Sequence, residues 1–189
     1  MDAPPLVIVS GAPGAGKTTL ARRLAEDLRL PLLVRDLLKE ALADAMGVPT
    51  DVAASSRLGA GAYAVMYLAA AELLDARAGI VLESNFRRGV SESELTRLLA
   101  RGNPCLIHCT ASREVLTARY GDRFTRGERH PAHLHDRRSA APAEDLDAGR
   151  FEPLDLSIPT LVVDTSSGYS PPYEEILDFA ALPQAMIRR

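Results

Sequence analysis

Gly11-Ala12-Pro13-Gly14-Ala15-Gly16-Lys17-Thr18, directly after the apolar run Leu6-Val7-Ile8-Val9, decides how the chain is read. It satisfies G-x-x-x-x-G-K-[ST], a loop whose backbone N–H groups cradle phosphate oxygens. Glycines at 11, 14 and 16 allow a tight turn and a close approach that a Cβ would obstruct. Lys17 adds a mobile positive charge, and a helix starting near Gly16 aims its unpaired N–H groups and positive dipole end at the same place. The Thr18 hydroxyl suits Mg²⁺. With ordinary glycine usage the four fixed positions coincide by accident on the order of once in a hundred chains of this length or less. The context also fits, with a β-branched strand before and the amphipathic stretch Thr19 to Leu28 after. Residues 11 to 19 therefore form a candidate site for the phosphates of a nucleoside triphosphate.

Outward from this loop, β-branched runs alternate with helical patterns. Strands are expected at Leu6 to Val9, Pro31 to Val34, Ile80 to Leu82, Cys105 to His108 and Thr160 to Val163, each almost unbroken in its apolarity, as strands covered on both faces should be. Helices are expected at 17 to 28, 37 to 46, 57 to 77, 91 to 101, 112 to 124 and 174 to 180, with a further short one at 143 to 148. Ser91 followed by Glu94 reads as a capping box. Right-handed strand–helix–strand repeats give a three-layer α/β fold on a parallel sheet.

The 189 residues suit one domain, 1–189, with formal charge −3 and pI near 5.8, so no global field attracts nucleic acid or an anionic membrane. No apolar run is read as approaching the roughly 20 residues of a membrane span. The N-terminus lacks the basic and apolar regions of a signal peptide, and a cytoplasmic protein is expected. Cys105 and Cys109 lie four apart on one predicted strand, on the same face and about 13 Å apart. That is too far for a disulfide, so two buried thiols are expected.

Ligands of an open parallel sheet bind beyond the carboxyl ends of its strands. Asp36 lies there after the second strand, placed to orient an acceptor hydroxyl and take its proton; the bland alternative is that it N-caps the next helix. Glu83 ends the third strand, where it would organise Mg²⁺ with Thr18, bind the acceptor, or form a strand-end ion pair. Asn85, Arg87 and Arg88 border the expected acceptor pocket, unless the arginines are only solvated loop residues. Arg119, Arg123 and Arg126 recur on one helical face, with Arg129 just beyond, as a lid closing positive charge onto phosphates requires; the bland alternative is a solvated basic helix face. His130, His133 and His135 match no trusted zinc spacing; His130 is a candidate acceptor contact.

With these residues in hand the chain resembles the small P-loop kinases of the AAA_33 or zeta-toxin-like group, related to chloramphenicol phosphotransferase, gluconate kinase, shikimate kinase and the kinase part of polynucleotide kinase. The likeness runs from Leu6 to Thr165. It is carried by the P-loop, by Val34 to Glu40, by Val81 to Phe86, and by the Arg-rich stretch ending in Arg129-His130-Pro131-Ala132-His133. The resemblance implies a five-stranded parallel sheet of order 2-3-1-4-5 with a mobile lid at about 119–149. It also implies ATP and Mg²⁺, Asp36 as the base that activates the acceptor, lid arginines at Arg119 and Arg123, and a loop of Asp164, Thr165 and Ser166 near adenine. Two departures stand out: Glu83 where several relatives have Asp, and Ala132 where the lid pattern has Gly.

The expected activity is transfer of the γ-phosphate to a hydroxyl of a small molecule, an antibiotic or a sugar-like metabolite, with Asp36, Lys17 and Arg123 at the reacting centre. A polynucleotide 5′-hydroxyl kinase would want a basic track, against which the acidic pI counts. A nucleotide-dependent regulatory ATPase would need a water-positioning residue that is not evident in the sequence.

Overall fold

The computed structural model describes residues 3–125, 130–134 and 149–181. In chain order they form β1 (Pro5–Gly11), α1 (Lys17–Leu28), β2 (Leu32–Val34), α2 (Arg35–Met46), α3 (Val52–Asp75), β3 (Ile80–Glu83), α4 (Glu92–Leu99), β4 (Asn103–Thr110), α5 (Arg113–Thr125), β5 (Thr160–Asp164) and α6 (Tyr173–Ala181). The strands make one parallel sheet in the order β2-β3-β1-β4-β5, as the resemblance implies.

The unbroken apolarity of the central strands has a direct use. Successive side chains point to opposite faces, so β1 sends Val7 and Val9 into one core with Leu20, Leu24 and Ile176, and Leu6 and Ile8 into another with Met66, Leu74 and Leu95. β4 divides in the same way, with Cys105, Ile107 and Cys109 on the first face and Leu106 on the second. Both cysteines are free and buried, as expected, and burial pushes each thiol up to about 12.

Three local expectations are corrected. Ser91 makes no capping bond: its Oγ instead accepts from the Arg87 N–H at 3.0 Å, while Glu94 pairs with Arg97 one turn on. Asp36 does not cap α2, because that helix begins one residue earlier, after Val34. The third helix starts at Val52 rather than 57, where the Asp51 carboxylate accepts from the Ala54 N–H at 2.7 Å. At 24 residues and hydropathy 1.2, α3 is also long and apolar enough to cross a membrane by length and composition alone, contrary to the expectation from the sequence. Its buried positions Ser55, Gly59, Ala62, Met66, Ala70 and Leu74 recur at helical spacing and are spent within the domain. The helix expected at 143 to 148 lies outside the described residues.

Candidate active site

The P-loop leaves β1 through Gly11, whose φ is +136° and whose added Cβ would stand 2.0 Å from the Cys109 carbonyl oxygen on β4. Glycine is therefore required here by the neighbouring strand, before any phosphate is considered. The loop then closes through Ala15 N–H to Ala12 O at 3.1 Å, and Gly16, at φ +73°, opens α1 with no side-chain cap. The N-terminal end of α1 thus faces the loop, the arrangement by which helix N-termini receive phosphate. Lys17 is 6% exposed, and its ammonium donates to Ala12 O at 2.8 Å.

Beside the loop, parallel register sets Val9 opposite Glu83 and Val34 opposite Glu83 from the other side, so the carboxyl ends of β1, β3 and β2 line up. The Thr18 hydroxyl donates to Glu83 Oε2 at 3.0 Å, joining the two residues expected at Mg²⁺. A hydroxyl and a carboxylate are hard oxygen donors, and Mg²⁺ is commonly held by one or two protein oxygens together with substrate phosphates. Among the described residues there is no cluster of three or more His, Cys, Asp or Glu able to hold a metal. The donor set therefore fits a nucleotide-borne Mg²⁺.

Asp36 is the second residue of α2, directly beyond β2. Its side chain is 47% exposed, with Oδ1 accepting from Arg35 Nη1 at 2.8 Å. Burial pushes the carboxyl up, but Arg35, His133 and Lys17 together outweigh it, and the net shift is downward. Asp36 is thus held ionised. Arg35 in turn lies over the Tyr63 ring, 4.9 Å from its centre, and the Tyr63 hydroxyl is 2.7 Å from Ser84 Oγ. Tyr63 also contacts Tyr67 and Phe86 through rings 5.8 and 6.1 Å apart.

On the other side of the loop, Arg119 donates to Thr165 O at 2.7 Å, to Thr165 Oγ1 at 3.1 Å and to Gly14 O at 3.3 Å. The buried Thr165 hydroxyl lies 3.2 Å from Ala15 O and 3.1 Å from Thr110 O. These contacts bring Arg119, Thr165 and the P-loop together. Asn85 is half-buried on the loop after β3, with Arg87 and Arg88 exposed beyond it, and Thr19 is exposed on α1. Of Arg123 only the backbone position in α5 is described, and Arg126, Arg129 and His135 lie outside the described residues.

The segment 130–134 rests on the α2–α3 hairpin. His130 Nδ1 accepts from the Ala132 N–H at 3.1 Å, so Nε2 carries the hydrogen and donates to Asp44 Oδ1 at 3.1 Å. His133 Nε2 is 2.9 Å from Glu40 Oε1. Ala132 is fully buried, and its carbonyl accepts from Ser55 Oγ at 2.7 Å, which in turn accepts from the buried Lys39 ammonium at 2.8 Å. His130 is therefore engaged through both ring nitrogens.

Several contributors were not singled out by pattern. Arg35 stacks on Tyr63 beside Asp36, with Gly59 leaving room for the guanidinium, and only the i, i+4 spacing of Ser55, Gly59 and Tyr63 hints at it. His108 lines a cavity of about 240 Å³ beside the P-loop with Ala12, Thr110, Arg113, Phe151 and Glu152. Its imidazole is lowered from 6.5 to about 4 by burial and by the Lys17 ammonium, so it is neutral, and its Nδ1 is buried without a partner among the described residues.

The sheet order, the glycine-lined loop and the Lys17, Thr18 and Glu83 arrangement define a P-loop nucleotide-binding fold of kinase-like architecture. The AAA_33 family model, an AAA domain, matches residues 6–151, and the chain belongs to that family. It is 38% identical to a candidate kinase of Chloroflexus aurantiacus J-10-fl, with 94% of this chain and 97% of that one covered at a TM-score of 0.83. The fold is shared with a gluconokinase of Sinorhizobium meliloti 1021, at 20% identity, 99% and 95% coverage and a TM-score of 0.53. It is shared too with Kti12 of Chaetomium thermophilum in complex with ADP-AlF3, at 19% identity, 94% and 100% coverage and a TM-score of 0.62. No curated protein sequence matches the chain.

Proposed function

We propose that the protein is an ATP-dependent phosphotransferase that moves the γ-phosphate to a hydroxyl of a small molecule, with sugar-like metabolites and antibiotics as the acceptor classes. The observation that carries this reading is the Asp36 carboxylate: ionised, half exposed, and set at a strand end one strand beyond Glu83. The similarity to a candidate kinase over nearly the whole chain supports it, and the gluconokinase neighbour favours a polyol acceptor.

In this reading the loop amides of residues 11–18 bind the phosphate chain, and Lys17 exchanges its bond to Ala12 O for phosphate oxygens. Thr18 and Glu83 hold Mg²⁺, which neutralises developing phosphate charge when bound. Asp36 accepts the acceptor's hydroxyl proton as that oxygen bonds to the γ-phosphorus and the bond to the β–γ bridging oxygen breaks; ADP leaves and the proton passes to solvent. Arg119, Arg123 and Arg126 supply positive charge from the lid at about 119–149. Asn85, Arg87 and His130 border the acceptor, His130 by fixing the lid against α2. A cytoplasmic setting belongs to this reading.

The test is a panel of sugars, sugar acids and hydroxylated antibiotics incubated with ATP, with a phosphate adduct read by mass. Asp36→Asn should keep ATP affinity while transfer falls by roughly 10² to 10⁴; unchanged transfer removes Asp36 as the base. A second reading is a nucleotide-dependent regulatory ATPase. ATP turnover stimulated by a protein and by no small molecule would select it.

A further inference from the structure

The Arg35–Asp36 contact is geometrically unusual. Consecutive helical residues diverge by about 100° and do not face each other, yet Arg35 Nη1 lies 2.8 Å from Asp36 Oδ1 in the first turn of α2. Two residues of α3 make the bend feasible. Gly59 leaves the space: a Cβ there would meet Arg35 Nη2 at 2.4 Å. One helical turn on, the Tyr63 ring supports the guanidinium from 4.9 Å. The arrangement even tolerates an Arg35 Nε that is buried without a partner among the described residues, a cost that calls for an explanation.

We propose that Arg35 is a positioning residue for Asp36, seated by Gly59 and Tyr63, that ties down Oδ1 and leaves Oδ2 as the oxygen that receives the acceptor's proton. This rests on the reading of Asp36 as the base. Oδ2 makes no hydrogen bond among the described residues, and the side chain is 47% exposed, so one oxygen is anchored and the other is open. The stack continues from Tyr63 through its hydroxyl to Ser84, next to Glu83. The base is thereby held from the strand end that also carries the expected metal-side carboxylate. Besides Arg35, the groups that face Asp36 are Lys17 of α1, His133 of the 130–134 segment and Tyr63 of α3. The Lys17 charge remains when Arg35 is replaced.

The experiment follows the Asp36 carboxyl itself and needs no acceptor. The full chain is labelled with ¹³Cγ-aspartate, Asp36→Asn identifies the signal, and its titration midpoint is compared in the parent protein, Arg35→Met and Gly59→Ala. Arg35→Met should raise the midpoint, the direction expected on losing a neighbouring guanidinium. Gly59→Ala keeps every charge and puts a better helix former in mid-helix, so it stays folded while displacing Arg35, and it should raise the midpoint by a smaller amount. An unmoved midpoint in a folded Arg35→Met protein overturns the inference. If Arg35→Met fails to fold, an unmoved midpoint in Gly59→Ala does so. The base role falls separately, on undiminished phosphoryl transfer by Asp36→Asn.

Discussion

A buried neutral imidazole makes the stability of this protein depend on pH in a way that one variant isolates. His108 is 4% exposed on β4, and its pKa is lowered from 6.5 to about 4 by burial and by the nearby Lys17 ammonium. The unfolded chain therefore takes up a proton that the folded chain refuses. Stability from this group is intact above pH 6.5, is lost as pH falls from 6.5 towards 4, and loses nothing more below 4. At pH 5 the unfolded imidazole is almost fully charged and the folded one only about a tenth, which corresponds to about 2 kcal/mol, rising to about 3 kcal/mol at saturation. Urea unfolding at pH 7 and pH 5 measures the loss in the parent protein and in His108→Gln. The variant starts from its own stability at pH 7, and its loss between the two pH values should be smaller by about 2 kcal/mol. Equal losses in the two proteins would refute the claim that His108 is buried uncharged.

Other perturbations test the frame around the nucleotide loop. Gly11→Ala places a Cβ 2.0 Å from the Cys109 carbonyl at φ +136°, whereas Gly89→Ala at φ +77° meets nothing within 4 Å. The first should cost at least about 3 kcal/mol and the second about 1 to 2 kcal/mol, read as urea midpoints; equal costs would mean that backbone strain alone sets the requirement at Gly11. Thr165→Val removes a buried hydroxyl that binds Arg119 and the Ala15 and Thr110 carbonyls. It should cost about 1 to 3 kcal/mol by thermal unfolding and weaken a fluorescent ATP analogue; unchanged affinity would separate Arg119 from nucleotide binding.

The central layer was legible because its physics is local and periodic. Leu6 to Val9 could only be a strand buried on both faces, and a glycine-rich turn followed by an amphipathic run could only lead into α1. Helix starts were harder, since they depend on which oxygen happens to reach an N–H. Ser91 has the right spacing to cap α4, but its hydroxyl goes to the Arg87 amide, and Asp51 does for α3 what no pattern in the sequence demanded. At the site, the P-loop, Glu83 and Asp36 were readable because each lies at or just past the carboxyl end of a strand. The Arg35, Gly59 and Tyr63 stack was not, because it joins α2 to α3 through side-chain directions that spacing alone does not encode. Gly11 has a second reason to be glycine that its motif does not encode, the Cys109 carbonyl on the neighbouring strand β4.

β2 has three residues, Leu32–Val34, at the rim of the sheet, and pairs with β3 alone, whereas the P-loop hangs from β1 at the centre between β3 and β4. The two halves of the cleft therefore answer to different mechanical loads. Altering the central half meets strands on both sides, as Gly11 meets the Cys109 carbonyl, while β2 is tied to the sheet by β3 alone. On the proposed phosphotransferase reading, acceptor choice sits on the rim and phosphate handling at the centre, and laboratory selection for new acceptors should succeed first at α2 and α3.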